Sequence, residues 1–318
     1  MRLFSNANYP FIERRRVAYV FSAVLILVGV VAMVLNVLAI GSWQNYGVDF
    51  TGGSLIQVQF REATTAAQLR AALGGAQAPP ITRFGEENEF VIRAPLAEED
   101  VDVVRARLEE QLTAAFGSDV FTVVRTDTVG PKIGGELQQK ATLAILFSFL
   151  LTLVYIAIRF ELRFGLASIT ATVHDIMITL GFLAVFRVEI ALPTVAAILT
   201  IVGYSLNDTI VVFDRVRENL NAKGGRREDP IALVNRSINE TLPRTVLTSG
   251  TTLAVLFALL FVGGAVIRDF TLVLVLGVMI GTYSSIFVAS PALLAIQKKL
   301  GDGSSDRDRK RRGVRATP

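Results

Sequence analysis

Six stretches of this sequence are long and apolar enough to cross a membrane, and they constrain the chain more than any other feature. They run at roughly 17–40, 139–158, 166–186, 190–213, 244–263 and 270–296. A helix rising about 1.5 Å per residue needs about 20 apolar residues to cross a ~30 Å hydrocarbon layer. The runs are nearly free of charge and lack an amphipathic period, so they do not suit surface helices of a soluble domain. Hydrophobic residues make up 52% of the 318 positions. That fraction alone would fit a soluble protein at the top of the usual range; its concentration into blocks does not. The first run is too long for the apolar core of a secretion signal, and no clear cleavage site follows it.

Charge then orders the spans. Basic residues cluster at Arg14, Arg15 and Arg16, at Arg159 and Arg163, from Arg215 to Arg236, and from Lys298 to Arg315. If the six spans alternate, every cluster falls on one side, which the positive-inside rule makes the cytoplasm. Both termini are therefore expected inside, with the large 42–138 segment outside. That segment holds 8 basic and 14 acidic residues, a net of −6, so the rest of the chain carries +10. The expected divisions are an N-terminal segment with the first span at 1–41, an outer domain at 42–138, and a five-helix bundle at 139–296. The bundle has a cytoplasmic loop at 214–243, and a basic, disordered tail follows at 297–318. The tail fits attraction to anionic lipid better than nucleic-acid binding, which is not expected.

The outer segment alternates between two periodicities. Strands are expected at 54–60, 80–85, 88–94 and 119–126, with helices at 64–73 and 97–115. A polar turn around Glu86–Asn88 joins the middle strands. The order is βαββαβ, a ferredoxin-like α+β unit. Its carboxylates, including Glu86, Glu87, Glu89 and the run Glu98 to Asp102, suit a solvated acidic face. An exposed sheet edge could also add a strand of extended polypeptide. The glycine-rich string Gly47-Val48-Asp49-Phe50-Thr51-Gly52-Gly53 lacks the ending of a phosphate loop and fits a hinge.

The informative positions are ionisable groups inside the spans. Asp or Arg at a helix centre costs roughly 2.5–3.5 kcal/mol, so such groups pair, line water paths or move protons. The third span carries His174 and Asp175, with Ser168, Thr172, Asp175 and Thr179 along one face. The fourth carries Asp208, with Thr200, Tyr204 and Asn207 expected on nearly the same face. The fifth is expected to open at Pro243 and to bear a stripe of Arg244, Thr248 and Thr251/Thr252. Asp208 and Arg244 fall at similar depth and are expected to pair. A guanidinium favours the ionised carboxylate and burial favours the neutral one, and a group between these pulls can take up and release protons. Asp208, Arg244, Asp175 and His174 are thus the candidate proton relay, with Asn207, Thr248 and Thr172 as supporting polar groups. Structural roles compete with this reading. Arg244 could snorkel to the interface, and Asp208 or His174 could simply be hydrogen-bonded helix contacts. Gly277, Gly281, Ser285 and Ala289 recur every four residues in the sixth span and form a helix-packing face. The segment 230–241 suits a short amphipathic helix on the membrane surface.

Other chemistries are poorly served. There is no cysteine and only one histidine. No disulfide, thiolate or multi-histidine metal centre can form. No metal or other cofactor is expected, and nothing resembles a nucleophile arrangement.

Several long strings resemble the bacterial SecF family. They are GVDFTGG after the first span, VGP at 129–131, HDIMITLGF in the third span and GYSLNDTIVVFDRVRENL in the fourth. ETLPRTVLTSGTT and GTYSSIFVASPALL follow in the fifth and sixth. The resemblance runs in order from about residue 10 to 296. It implies six transmembrane helices, an outer domain between the first two, and a place in the bacterial cytoplasmic membrane within the resistance-nodulation-division superfamily. It implies a non-enzymatic subunit that pairs with SecD and uses the proton-motive force to promote protein export. The implied partners are the SecYEG channel, the accessory proteins YajC and YidC, the translocating preprotein, protons and membrane lipid. In that family the Asp of SLNDT and the Arg of LPRT, here Asp208 and Arg244, are tied to proton transport. The competing reading is a small-molecule or lipid exporter of the same superfamily.

Overall fold

A computed structural model describes residues 7–75, 78–84, 88–94, 101–222 and 225–300. Six helices are long and apolar enough to span a membrane. They are α1 (Arg15–Ile40), α5 (Pro131–Arg159), α6 (Leu162–Phe186), α7 (Leu192–Asn221), α8 (Pro230–Val262) and the pair α9 (Gly264–Ser284) and α10 (Ser290–Leu300). A five-residue π-helical turn, Ser285–Ala289, joins α9 to α10 within the sixth span. The polypeptide is a multi-pass membrane protein.

Small residues set how closely the helices approach. α1 and α6 run parallel, and a methyl on Gly29 would lie 2.6 Å from the Gly181 Cα. One heptad earlier this register brings Ser22 of α1 against His174 of α6. α7 and α9 are also parallel. A side chain on Gly277 would strike Ile201, and one on Gly281 would lie 3.1 Å from the Ser205 Cβ. The small-residue face of the sixth span therefore packs within the chain. Ser285, one further step along, is buried and donates to the Thr282 carbonyl at 2.9 Å.

Between α1 and α5 lie α2 (Val48–Thr51), β1 (Gly53–Phe60), α3 (Ala66–Ala72), β2 (Ile81–Arg83), β3 (Glu89–Ala94), α4 (Val101–Phe116) and β4 (Phe121–Val129). The four-stranded sheet has the order β2-β3-β1-β4, and every neighbouring pair is antiparallel. This is the split-βαβ arrangement expected for βαββαβ. A Thr65–Gln68 capping box starts α3, and Leu69, Leu108 and Leu112 close the sheet face over Ile56, Val58, Phe90 and Ile92. Glu86, Glu87, Glu98, Glu99 and Asp100, and with them most of the expected acidic turn, lie outside the described residues, as does the tail beyond Leu300.

The bundle departs from the sequence reading at three places. The segment 230–241 is not a separate surface helix: α8 runs unbroken from Pro230 to Val262 with Pro243 inside it. Leu233, Val234, Ile238 and Leu242 are buried in the bundle core, and that packing carries the helix through a residue that removes one backbone donor. α7 and α8 consequently form a hairpin linked only by residues 222–229, with Arg215 Nε and Asn219 Nδ2 both bound to Glu240 Oε2 at 2.7 and 2.8 Å. At the other side of the membrane, α5 begins at Pro131, so the end of the expected outer segment belongs to the second span's helix. The GVDFTGG string holds one helical turn, α2, against which Gly134 of α5 packs.

Candidate functional site: two carboxylates in the helix bundle

Asp175 is fully buried at the centre of a polar chain that crosses four helical segments. Its Oδ2 accepts from Ser205 Oγ of α7 at 2.5 Å and from Ser284 Oγ of α9 at 2.7 Å. Its Oδ1 lies 2.8 Å from His174 Nδ1. The other ring nitrogen, Nε2, is 2.9 Å from Ser22 Oγ of α1. Ser22 Oγ in turn lies 3.1 Å from the Tyr283 hydroxyl, which donates to the Ala18 carbonyl at 2.9 Å.

Four contacts run from Asp175 Oδ1 through His174, Ser22 and Tyr283 to Ala18. A neutral imidazole, one serine and one tyrosine supply three protons. All four contacts are made at once only when the His174–Asp175 pair holds one more proton. That proton sits on the ring or on the carboxyl, and either placement leaves the pair without net charge.

Asp208 is buried by contrast in a loose setting, 2% exposed. Ser249 of α8 donates to its Oδ2 at 3.2 Å, and Thr282 of α9 reaches the same oxygen at 3.5 Å. Those two hydroxyls are closer to each other, at 2.7 Å, than either is to the carboxylate. Arg244 is near enough for its charge to act on Asp208. Among the described residues no ion pair within 4 Å joins them. Arg244 is exposed on α8, so the expected direct contact is replaced by attraction at longer range.

The supporting residues divide. Thr172 is buried, but its hydroxyl donates to the Ser168 carbonyl at 2.9 Å rather than to Asp175. Thr248 is half-buried and donates to Arg244 O at 3.0 Å. Asn207 is exposed on the side of α7 away from Asp208. Adjacent helical residues point about 100° apart, which is why a neighbour in sequence is not a neighbour in the site. Sequence reasoning passed over Ser22, Ser205, Ser249, Thr282, Tyr283 and Ser284. The last three are consecutive on α9, and they bind Asp208, Ser22 and Asp175 in turn just before the π-helical turn. Such turns interrupt the regular backbone ladder and are frequent at functional sites. Ser22 had one usable signal, its place with Asn36 as a small polar side chain in an otherwise long apolar run. The described residues contain no cluster of three or more metal-ligating side chains.

The fold and this interior define a multi-pass helical membrane protein with ionisable groups held inside its bundle and a ferredoxin-like domain between its first two spans. Comparison with known proteins narrows the class. The family model described as protein export membrane protein SecD/SecF, C-terminal, matches residues 108–299, and the SecD/SecF GG motif matches residues 45–64. The protein translocase subunit SecF of Gemmatimonas aurantiaca is 45% identical over 306 residues, covering 93% of this chain and 90% of that protein. That of Desulfurispirillum indicum is 44% identical, with 90% of each covered. The crystal structure of SecDF, a translocon-associated membrane protein from Thermus thermophilus, superposes with a TM-score of 0.80 at 40% identity. It matches 94% of this chain, which spans 40% of the length of that one. The chain belongs to the SecD/SecF family of protein-export membrane proteins.

Proposed function

We propose that this chain is a non-enzymatic auxiliary subunit of the Sec translocase. With SecD it uses the proton-motive force to promote protein export across the bacterial cytoplasmic membrane. Both termini face the cytoplasm and the ferredoxin-like domain faces out. The observation that carries this reading is Asp208, a carboxylate buried among spans with weak hydroxyl partners and a cation, Arg244, within electrostatic reach. Asp208 exchanges the proton, and Arg244 favours its release. The His174–Asp175 pair is a second station, and the same short stretch of α9 reaches both, Thr282 at Asp208 and Ser284 at Asp175.

SecD supplies what this bundle lacks. Arg244 and Thr251 lie exposed along one face of α8 with half-buried Thr248 between them, and Thr200 and Asn207 are exposed on α7. A charged residue facing lipid within a span is costly, so a second bundle over this surface is the economical arrangement. SecYEG, YajC and YidC are further partners of the assembly, and the translocating preprotein is its substrate. One charge crossing 100 mV releases about 2.3 kcal/mol. That suffices to bias an outer domain between states separated by about 1–3 kcal/mol.

The test is preprotein export in inverted membrane vesicles that contain SecD, with and without a proton gradient. In the Asp208→Asn variant, export is expected to become independent of the gradient and to fall to the ungradiented level. Export that keeps its full dependence on the gradient contradicts the reading and leaves a passive scaffold.

A further inference from the structure

On the outer side, the ferredoxin-like domain touches the bundle through a charged contact that the relay does not use. Arg93 of β3 forms an ion pair with Glu189, in the loop between α6 and α7, at 2.8 Å. Both side chains are about four-fifths buried, at 20% and 18% exposure. The loop sits under the strap that leads into the domain. Tyr46 and Ile190 form a parallel bridge, with Gly47 N bound to Ile190 O at 2.9 Å and Ile190 N to Asn45 O at 2.8 Å. Gly47 lies so close that a side chain there would overlap Glu189 Oε1. Asp49 of α2 accepts from Leu192 N at 2.8 Å and ties the same strap to the start of α7.

The charges around Glu189 are unbalanced. Asp49 on α2 and Asp269 on α9 repel it, while Arg93 on β3 attracts it. Arg268 acts on Asp269, and Arg187 on the same loop is turned to Asn36 Oδ1 at 3.3 Å. Burial and the two neighbouring carboxylates push the Glu189 carboxyl up from its usual range, and Arg93 alone among these groups pulls it back.

We propose that Glu189 is an outer-side proton acceptor that works as a latch: ionised, it holds Arg93 and seats the domain on the bundle, and protonated, it lets β3 lift away. The strap stays in place in both states, because it is held by hydrogen bonds on both sides of Ile190 and by Asp49. Glu189 therefore remains covered when Arg93 leaves and keeps its two acidic neighbours. Losing the cation raises its affinity for a proton. By linkage, a proton bound at Glu189 weakens the seating to the same degree. Seating is thus complete at higher pH and is lost as the outer pH falls. The inference depends on the interdomain contact and is independent of whether Asp208 moves protons.

The chain has no cysteine, so labels can be placed uniquely. Spin labels at Glu110→Cys, on the exposed face of α4, and Val262→Cys, at the outer end of α8, report the distance between domain and bundle. The full chain in lipid nanodiscs is measured from mildly alkaline to mildly acidic pH. The distance is expected to lengthen on acidification. Glu189→Gln is expected to show the long distance at every pH, with the pH response lost. Arg93→Gln breaks the contact from the domain side and is expected to do the same. The double variant Arg93→Glu/Glu189→Arg is expected to restore the short distance at high pH. A distance that stays constant or shortens on acidification overturns the latch, as does a Glu189→Gln protein that remains seated.

Discussion

Asp175 and Asp208 occupy the same helix bundle, yet the protein treats them in opposite ways. Asp175 has three partners at 2.5–2.8 Å, from three different residues, and no exposure at all. Asp208 has contacts of 3.2 and 3.5 Å from hydroxyls that prefer each other, and its cation is held at a distance on an open face. A carboxylate that takes three short hydrogen bonds ties together the helices that supply them and changes protonation at greater cost. A carboxylate with spare capacity can change protonation without dismantling its surroundings. Burial alone does not separate the two; the quality of their hydrogen bonds does.

The comparison breaks first at Asp175. Asp175→Ala leaves two serine hydroxyls and an imidazole without their acceptor, so a loss of about 3–5 kcal/mol is expected in thermal unfolding of the purified protein. Asp208→Ala should cost about 1 kcal/mol or less, because Ser249 and Thr282 retain their mutual bond. Equal losses would erase the distinction. Next in size is Gly281→Val, which pushes α9 away from Ser205 of α7. An overpacking cost of about 1–3 kcal/mol is expected, and because α9 serves both carboxylates, the same melt should be paired with an export assay that also falls. Tyr283→Phe removes one link of the chain from His174 to α1 and should lower stability by about 1 kcal/mol in the same melt. The smallest effect is expected for Thr248→Val, within about 0.5 kcal/mol, since that hydroxyl bonds only within its own helix.

The sequence makes the two carboxylates legible because a charge in a span is expensive, and the outer domain legible because its strands alternate. The hydroxyl partners were not legible for an equally physical reason. A serine or threonine in a membrane helix bonds back to the carbonyl one turn earlier, as Thr172, Thr179 and Thr282 do. Such residues cost little wherever they point, so Ser205 and Ser284 carry no mark of their role. Asn207 shows the opposite error: it is adjacent to Asp208 and faces elsewhere. Pro243 suits a first helical turn, yet buried Leu242 and Ile238 make α8 continuous through it. The role of Arg93 was out of reach, because its partner Glu189 lies about a hundred residues away on the far side of two spans.

The most direct test of the central claim is proton flux into sealed vesicles that hold the protein with SecD. The parent protein is expected to admit protons when a gradient is imposed, Asp208→Asn to show only the leak of empty vesicles, and Asp208→Glu to recover part of the flux. Undiminished flux through Asp208→Asn would contradict the assignment of Asp208 as the proton carrier.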